Sequence, residues 1–142
     1  MHSYYSPSHD VNFHGTDPNG WDYISDPLIA SQEAASFYTP IIADPTVGGT
    51  LFDGLEHVWR TKDDGGAQTQ LDSQCSELLT SGFDPTGHGC GDWVPLGSTS
   101  LISTGVTYGT DKGTGYVVAL TRAAGDTGTL WAGTRRGRVF VS

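Results

Sequence analysis

Short apolar runs separated by clusters of Gly, Thr, Ser, Asp and Pro set the rhythm of this chain of 142 residues. Such a pattern predicts short strands joined by turns. Residues 37–43 form one run, ended by Asp44-Pro45. Residues 50–54 and 56–61 predict two more strands. After a long polar stretch, Trp93-Val94-Pro95-Leu96 resumes strand character, its proline suited to an edge. Residues 115–122, 129–134 and 138–142 then repeat the three-strand pattern, after a turn-rich connection over 107–111. Upstream, residues 1–20 are polar apart from Val11-Asn12-Phe13, and Trp21-Asp22-Tyr23-Ile24 alternates like a strand. The best helical signal is a turn over residues 31–36, too short to stand alone as a helix.

The two triplets are copies. Gly49-Thr50-Leu51-Phe52-Asp53-Gly54 is echoed by Gly128-Thr129-Leu130-Trp131-Ala132-Gly133. Each copy continues into an apolar segment, Val58-Trp59-Arg60-Thr61 or Val139-Phe140-Val141-Ser142. Phe37 aligns with Tyr116, Ile41 with Leu120, Leu51 with Leu130 and Phe52 with Trp131. Trp21 and Trp93 open matching segments. A repeat of this period cannot bury its own apolar face and is built to stack. Four short antiparallel strands per repeat make the blade of a β-propeller. The expected fold is therefore all-β: about two four-stranded blades, incomplete without further blades. Other copies of the chain, or other blades of the same propeller, are the expected partners. Trp21, Trp59, Trp93 and Trp131 are expected in blade cores, the alternative being stacking on sugar rings in a carbohydrate cleft.

After Thr61 the first copy runs on as Lys62-Asp63-Asp64-Gly65-Gly66. This stretch resembles the Asp-box, Ser/Thr-x-Asp-x-Gly-x-x-Trp, of the BNR-type repeats in the sialidase, xyloglucanase and sortilin-like group of β-propellers. The resemblance implies a structural hairpin in which Thr61 and Asp63 bond nearby backbone N–H groups and Gly65 supplies a positive φ. Its tryptophan would be Trp93, displaced by an insertion over residues 67–92. Ser142 stands where the next box would open, and Gly15-Thr16-Asp17-Pro18-Asn19-Gly20-Trp21 reads as a degenerate earlier one. The chain divides on this reading into a polar lead-in with partial blade strands, 1–36, and Asp-box blades, 37–142. Asp-boxes lie away from catalytic centres in that group, so Asp63 is not expected to be a catalyst.

Composition narrows the partners. The net charge is −9, and only seven residues are Lys or Arg. Nucleic-acid binding rests on cationic neutralisation of phosphates, so this balance argues against it and against anionic membrane surfaces. No apolar run approaches a membrane span, and Met1-His2-Ser3-Tyr4-Tyr5-Ser6-Pro7 does not read as a signal peptide. Cys75 and Cys90 fall in one turn-rich stretch with few apolar residues to hold it. A disulfide between them is the favoured reading over free thiols, and it implies an oxidising, extracellular or cell-surface setting. With His88 alone nearby, the two cysteines do not complete a zinc set.

Candidate chemistry is sparse. Glycoside hydrolysis needs two placed carboxylates, for which Asp22, Asp26, Asp53, Glu56 and Asp92 are available outside the box. A sialidase-like site would add an arginine cluster. Arg135, Arg136 and Arg138 are grouped, the first two at a hairpin tip. Glu56, His57 and Arg60 are candidates for a polar cleft. Asp17, Asn19 and Asp22 would suit calcium, although no metal or other cofactor is expected outright. No Gly-x-Ser-x-Gly elbow is present. The expected function is an extracellular binding or scaffold module within a larger ring. The alternatives are a fragment or subunit of a glycoside hydrolase acting on polysaccharide, and a structural unit of a surface fibre.

Overall fold

The computed structural model describes residues 4–5, 22–75, 89–103 and 113–142. The chain forms two compact units, one from residues 1–32 and 61–93, the other from 33–60 and 94–142.

In the first unit, β1 (Tyr4–Tyr5) pairs antiparallel with β2 (Asp22–Tyr23). Helix α1 (Asp26–Ala30) follows directly. The helical turn expected over 31–36 thus lies upstream. Pro27 sits in the first turn, where its fixed φ costs nothing, and Leu28 is buried. Gln32 ends the segment with φ 55°, a left-handed conformation that stops a helix. A second helix, α2 (Gln68–Gln74), occupies part of the insertion expected to be loop. Leu71 anchors it, about 1% exposed. Cys75 caps α2 and is disulfide-bonded to Cys90, both side chains fully buried. Backbone bonds fasten this staple: Tyr23 N–H to Cys75 O at 2.7 Å and Asp26 N–H to Cys90 O at 2.9 Å.

The second unit holds two antiparallel sheets. β3 (Ile41–Ala43), β4 (Leu51–Gly54), β5 (Val58–Thr61) and β6 (Val94–Pro95) lie side by side in chain order. β7 (Val117–Arg122), β8 (Leu130–Thr134) and β9 (Val139–Val141) form the other sheet. The chain is therefore mostly β, as the pattern predicts, with four strands in one sheet and three in the other. The first strand is shorter than its apolar run. Phe37 and Tyr38 are 84% and 81% exposed and stack edge-on outside the sheet. The expected strand at 11–13, the degenerate box at 15–21 and the connection at 107–111 lie outside the described residues.

Alternation decides which side chains meet. Ile42 opposes Phe52 and shares its face with Val58. That face packs on the Leu120, Leu130 and Ala132 face of the second sheet, with Val117 in the same cluster. Arg122, on this face too, lies 5.0 Å over the Phe52 ring and pairs with Asp44. Gly54 allows the close approach: a Cβ there would sit 2.7 Å from Val117 Cγ1. Of the tryptophans expected in the core, Trp59 and Trp93 are buried, Trp21 lies outside the described residues, and Trp131 is 45% exposed. Trp131 faces away from the first sheet because its neighbours Leu130 and Ala132 face toward it.

Candidate functional site

The Thr61 turn is built on one hydroxyl. Thr61 Oγ1 accepts from the Gly65 N–H at 3.0 Å and the Asp63 N–H at 3.4 Å, and it donates to Asp63 Oδ1 at 3.2 Å. Asp64 and Gly65 both have positive φ, 62° and 105°. A Cβ on Gly65 would meet Ile24 at 2.8 Å, so packing as well as backbone conformation demands glycine there. Gly65 O accepts from the Asp92 N–H at 3.0 Å, and the buried Trp93 indole donates to Ile24 O at 2.8 Å. Thr61, Asp63, Gly65 and Trp93 thus gather around one turn despite the insertion between them. Desolvation raises the Asp92 carboxyl above the ordinary carboxylate range, its contact with Asp63 adds to the rise, and the Thr61 hydroxyl opposes it.

A second polar centre belongs to the other unit. The Glu33 carboxylate accepts from the backbone N–H groups of Glu56 and His57, each at 2.9 Å, and from the Trp59 indole at 3.1 Å. Its other oxygen lies 2.6 Å from His57 Nδ1. Glu56 returns the link by accepting from the Ala34 N–H at 3.2 Å. Two consecutive backbone N–H groups and an indole form a cradle for an anion, and Glu33 fills it. Of the expected cleft, His57 and Glu56 are drawn into this clasp, whereas Arg60 falls on the opposite, Val58 face by alternation. Glu33 escapes a sequence reading because it lies in the stretch that resembles a helical turn, and the hairpin it clasps is more than twenty residues away. A carboxylate that orients an imidazole is half of a nucleophile-activating arrangement. Among the described residues the imidazole holds no serine, threonine or cysteine.

The remaining candidate carboxylates and the grouped arginines are engaged apart from one another. Asp53 is 1% exposed, and burial pushes its carboxyl up to about 6, against the lowering effect of the Gly54 N–H and the Thr39 hydroxyl. Asp26 accepts from the Cys90 N–H at 2.9 Å, and Asp22 from Gln68 at 3.4 Å. Arg135 stacks on Tyr116 at 5.5 Å, Arg136 reaches Thr114 at 2.8 Å, and Arg138 donates to Leu101 O and Ser103 O at 2.9 Å. The three do not converge on one point. Asp17 and Asn19, named for calcium, lie outside the described residues. Among the described residues no three His, Cys, Asp or Glu side chains are grouped to hold a metal, and no helix is long and apolar enough to cross a membrane.

One half-open pocket of about 160 Å³ lies between the sheets, lined by Val58, Leu96, Leu101, Leu130, Ala132 and Phe140 and rimmed by Val141 and Ser142. Its lining is aliphatic and aromatic apart from Ser142. The chain matches no protein-family model, no curated protein and no solved structure.

Proposed function

We propose that this chain is an extracellular binding or scaffold module made of Asp-box β-propeller repeats, working as part of a larger array. One observation carries the reading: two hairpins of matching sequence, residues 51–61 and 130–142, sit at matching places in two stacked antiparallel sheets. The Thr61 turn supports it further, because its hydroxyl and glycine play the parts that an Asp-box assigns them, although the Asp63 carboxylate accepts from the Thr61 hydroxyl and not from a backbone N–H. The buried disulfide supports an oxidising compartment.

The glycosidase alternative is less well supported. Its carboxylates must flank a glycosidic bond, about 5–10 Å apart. Asp63 and Asp92 are in hydrogen-bond contact with each other, too close for that task. Glu33 is saturated by four donors. Incubation of the chain with soluble β-glucans, xyloglucan and sialylated glycans tests the choice. The module reading expects no release of reducing ends or sialic acid, with any carbohydrate affinity visible as retarded migration in polysaccharide-containing gels. Release that disappears in a carboxylate variant would replace it with the hydrolase reading.

A further inference from the structure

The Glu33 clasp divides into a site and a ligand. Its four donors all come from one short stretch, residues 56–59, while the acceptor comes from a separate segment upstream. The donor side is shaped by its own hairpin. The Leu55 N–H bonds His57 O at 2.9 Å, which closes the loop between β4 and β5 on itself. The next two N–H groups, of Glu56 and His57, are then presented side by side to Glu33. Consecutive N–H groups in a turn make a concavity for an anion. Trp59, about 8% exposed, adds its indole N–H from β5. The imidazole carries a proton on Nδ1, since that atom lies 2.6 Å from a carboxylate oxygen. None of the four donors is Lys or Arg, so the cradle suits a singly charged carboxylate better than a phosphate.

The acceptor side is a strap. Residues 33–40 lie between α1 and β3 in no helix or strand. Among the described residues no hydrogen bond reaches residues 35–38, and Phe37 and Tyr38 stand out in solvent. The strap meets the hairpin loop at two adjacent points. One is the Glu33 carboxylate in the cradle, and the other is the Ala34 N–H, 3.2 Å from Glu56 Oε1. A single dipeptide thus supplies both contacts: an acidic side chain and the N–H of the residue after it. Another peptide segment with Glu followed by a residue bearing an N–H offers the same pair.

We infer that residues 56–59 are a recognition site for a glutamate-bearing peptide segment of a partner, and that the chain's own Glu33 strap occupies it as an internal competitor. A tethered ligand acts at an effective concentration on the order of mM. The strap therefore shuts out weakly acidic segments and yields to one that binds the cradle and its surroundings more tightly. The inference goes beyond the array reading and does not depend on it, because cradle and strap belong to one unit of the chain.

The probe is an acetylated, amidated peptide of residues 33–38, titrated into the full chain. The Trp59 indole N–H resonance, assigned with Trp59→Phe, reports occupancy of the cradle. Glu33→Ala removes the internal competitor. That chain should bind the peptide saturably and at least about tenfold more tightly than the parent does. The same peptide carrying Glu33→Gln should bind the Glu33→Ala chain at least about tenfold more weakly, having lost the charge on its acceptor. Should Glu33→Ala fail to fold, Ala34→Pro decides: it deletes the strap's second donor, leaves the cradle whole, and should bind the peptide more tightly than the parent. Equal affinity in the parent and a folded variant would overturn the inference. So would the lack of a saturable shift in the folded variants, or indifference to the Glu-to-Gln change; the clasp would then be a structural tie alone. None of these results bears on the array reading, which the glycan incubations test.

Discussion

Glycines at equivalent repeat positions have unequal duties, and single substitutions separate them. Gly54 faces Val117 and Pro40, with no room for a methyl group: atoms of both would lie under 3.0 Å from a Cβ placed on it. Gly54→Ala should therefore cost about 1–3 kcal/mol through overpacking. Gly133→Ala, with open space before it, should stay within about 0.5 kcal/mol of the parent. Urea unfolding of the two variants decides the matter, and equal costs would mean that the notch at Gly54 does not set the approach of the sheets. Asp53 offers a second test at this scale. Its folded value of about 6 stands above the ordinary 3.8, so the fold favours the protonated carboxyl. The stability this adds is full below about pH 4 and is lost as pH rises through about 6. Asp53→Asn mimics the protonated form and keeps an oxygen for the Gly54 N–H. It should be more stable than the parent at pH 8, by about 2–3 kcal/mol, and should match it near pH 4. A difference that does not shrink toward acid pH would show that another group is responsible.

Elements differ in how far the sequence reveals them. The hairpins 51–61 and 130–142 are legible because alternation and a repeated motif agree. Strand β3 is shorter than its apolar run because Phe37 and Tyr38 face solvent, and hydrophobicity alone does not say which aromatics will be covered. Helix α2 is hidden because its buried side is little more than Leu71, too little for a periodic signal. The Thr61 turn is legible from local chemistry, down to the positive φ at Gly65. The Glu33 clasp is not: one carboxylate answers donors on a distant hairpin, a long-range match that composition and spacing do not encode. Removing it should be felt at that hairpin. Glu33→Ala strands two backbone N–H groups and the Trp59 indole, and should cost about 2–4 kcal/mol. Glu33→Gln keeps an acceptor oxygen and should cost less. Altered Trp59 emission in the alanine variant would locate the loss, whereas unchanged emission and stability would mean that water replaces the carboxylate at no cost.

For the molecule as a whole, the disulfide and the sheet stack stabilise different units. The stack in residues 33–60 and 94–142 rests on buried apolar contacts among Phe52, Val58, Val117, Leu130 and Ala132. Among its described residues the other unit has two short helices and a two-residue strand pair, and its cross-links converge on the cysteines. Cys75 O receives the Tyr23 N–H, Cys90 O receives the Asp26 N–H, and Asp26 returns a bond to the Cys90 N–H. Breaking a disulfide between residues 15 apart in sequence releases about 3 kcal/mol of loop-closure entropy to the unfolded chain. Because the backbone bonds of that unit converge on the cysteines, the loss should fall there first. Reduction should therefore speed amide exchange at Tyr23, Asp26 and Cys90 by about two powers of ten, while Val117, Thr134 and Ser142, bonded within the sheets or to them, keep the parent's rates. The comparison needs the reduced thiols blocked and exchange followed residue by residue. Uniform acceleration at every site would mean that the two units open together and that the staple stabilises the stack as well. Acceleration confined to the first unit would place the chain's weakest point at its insertion and leave the stacked sheets of the second unit intact in a reducing medium.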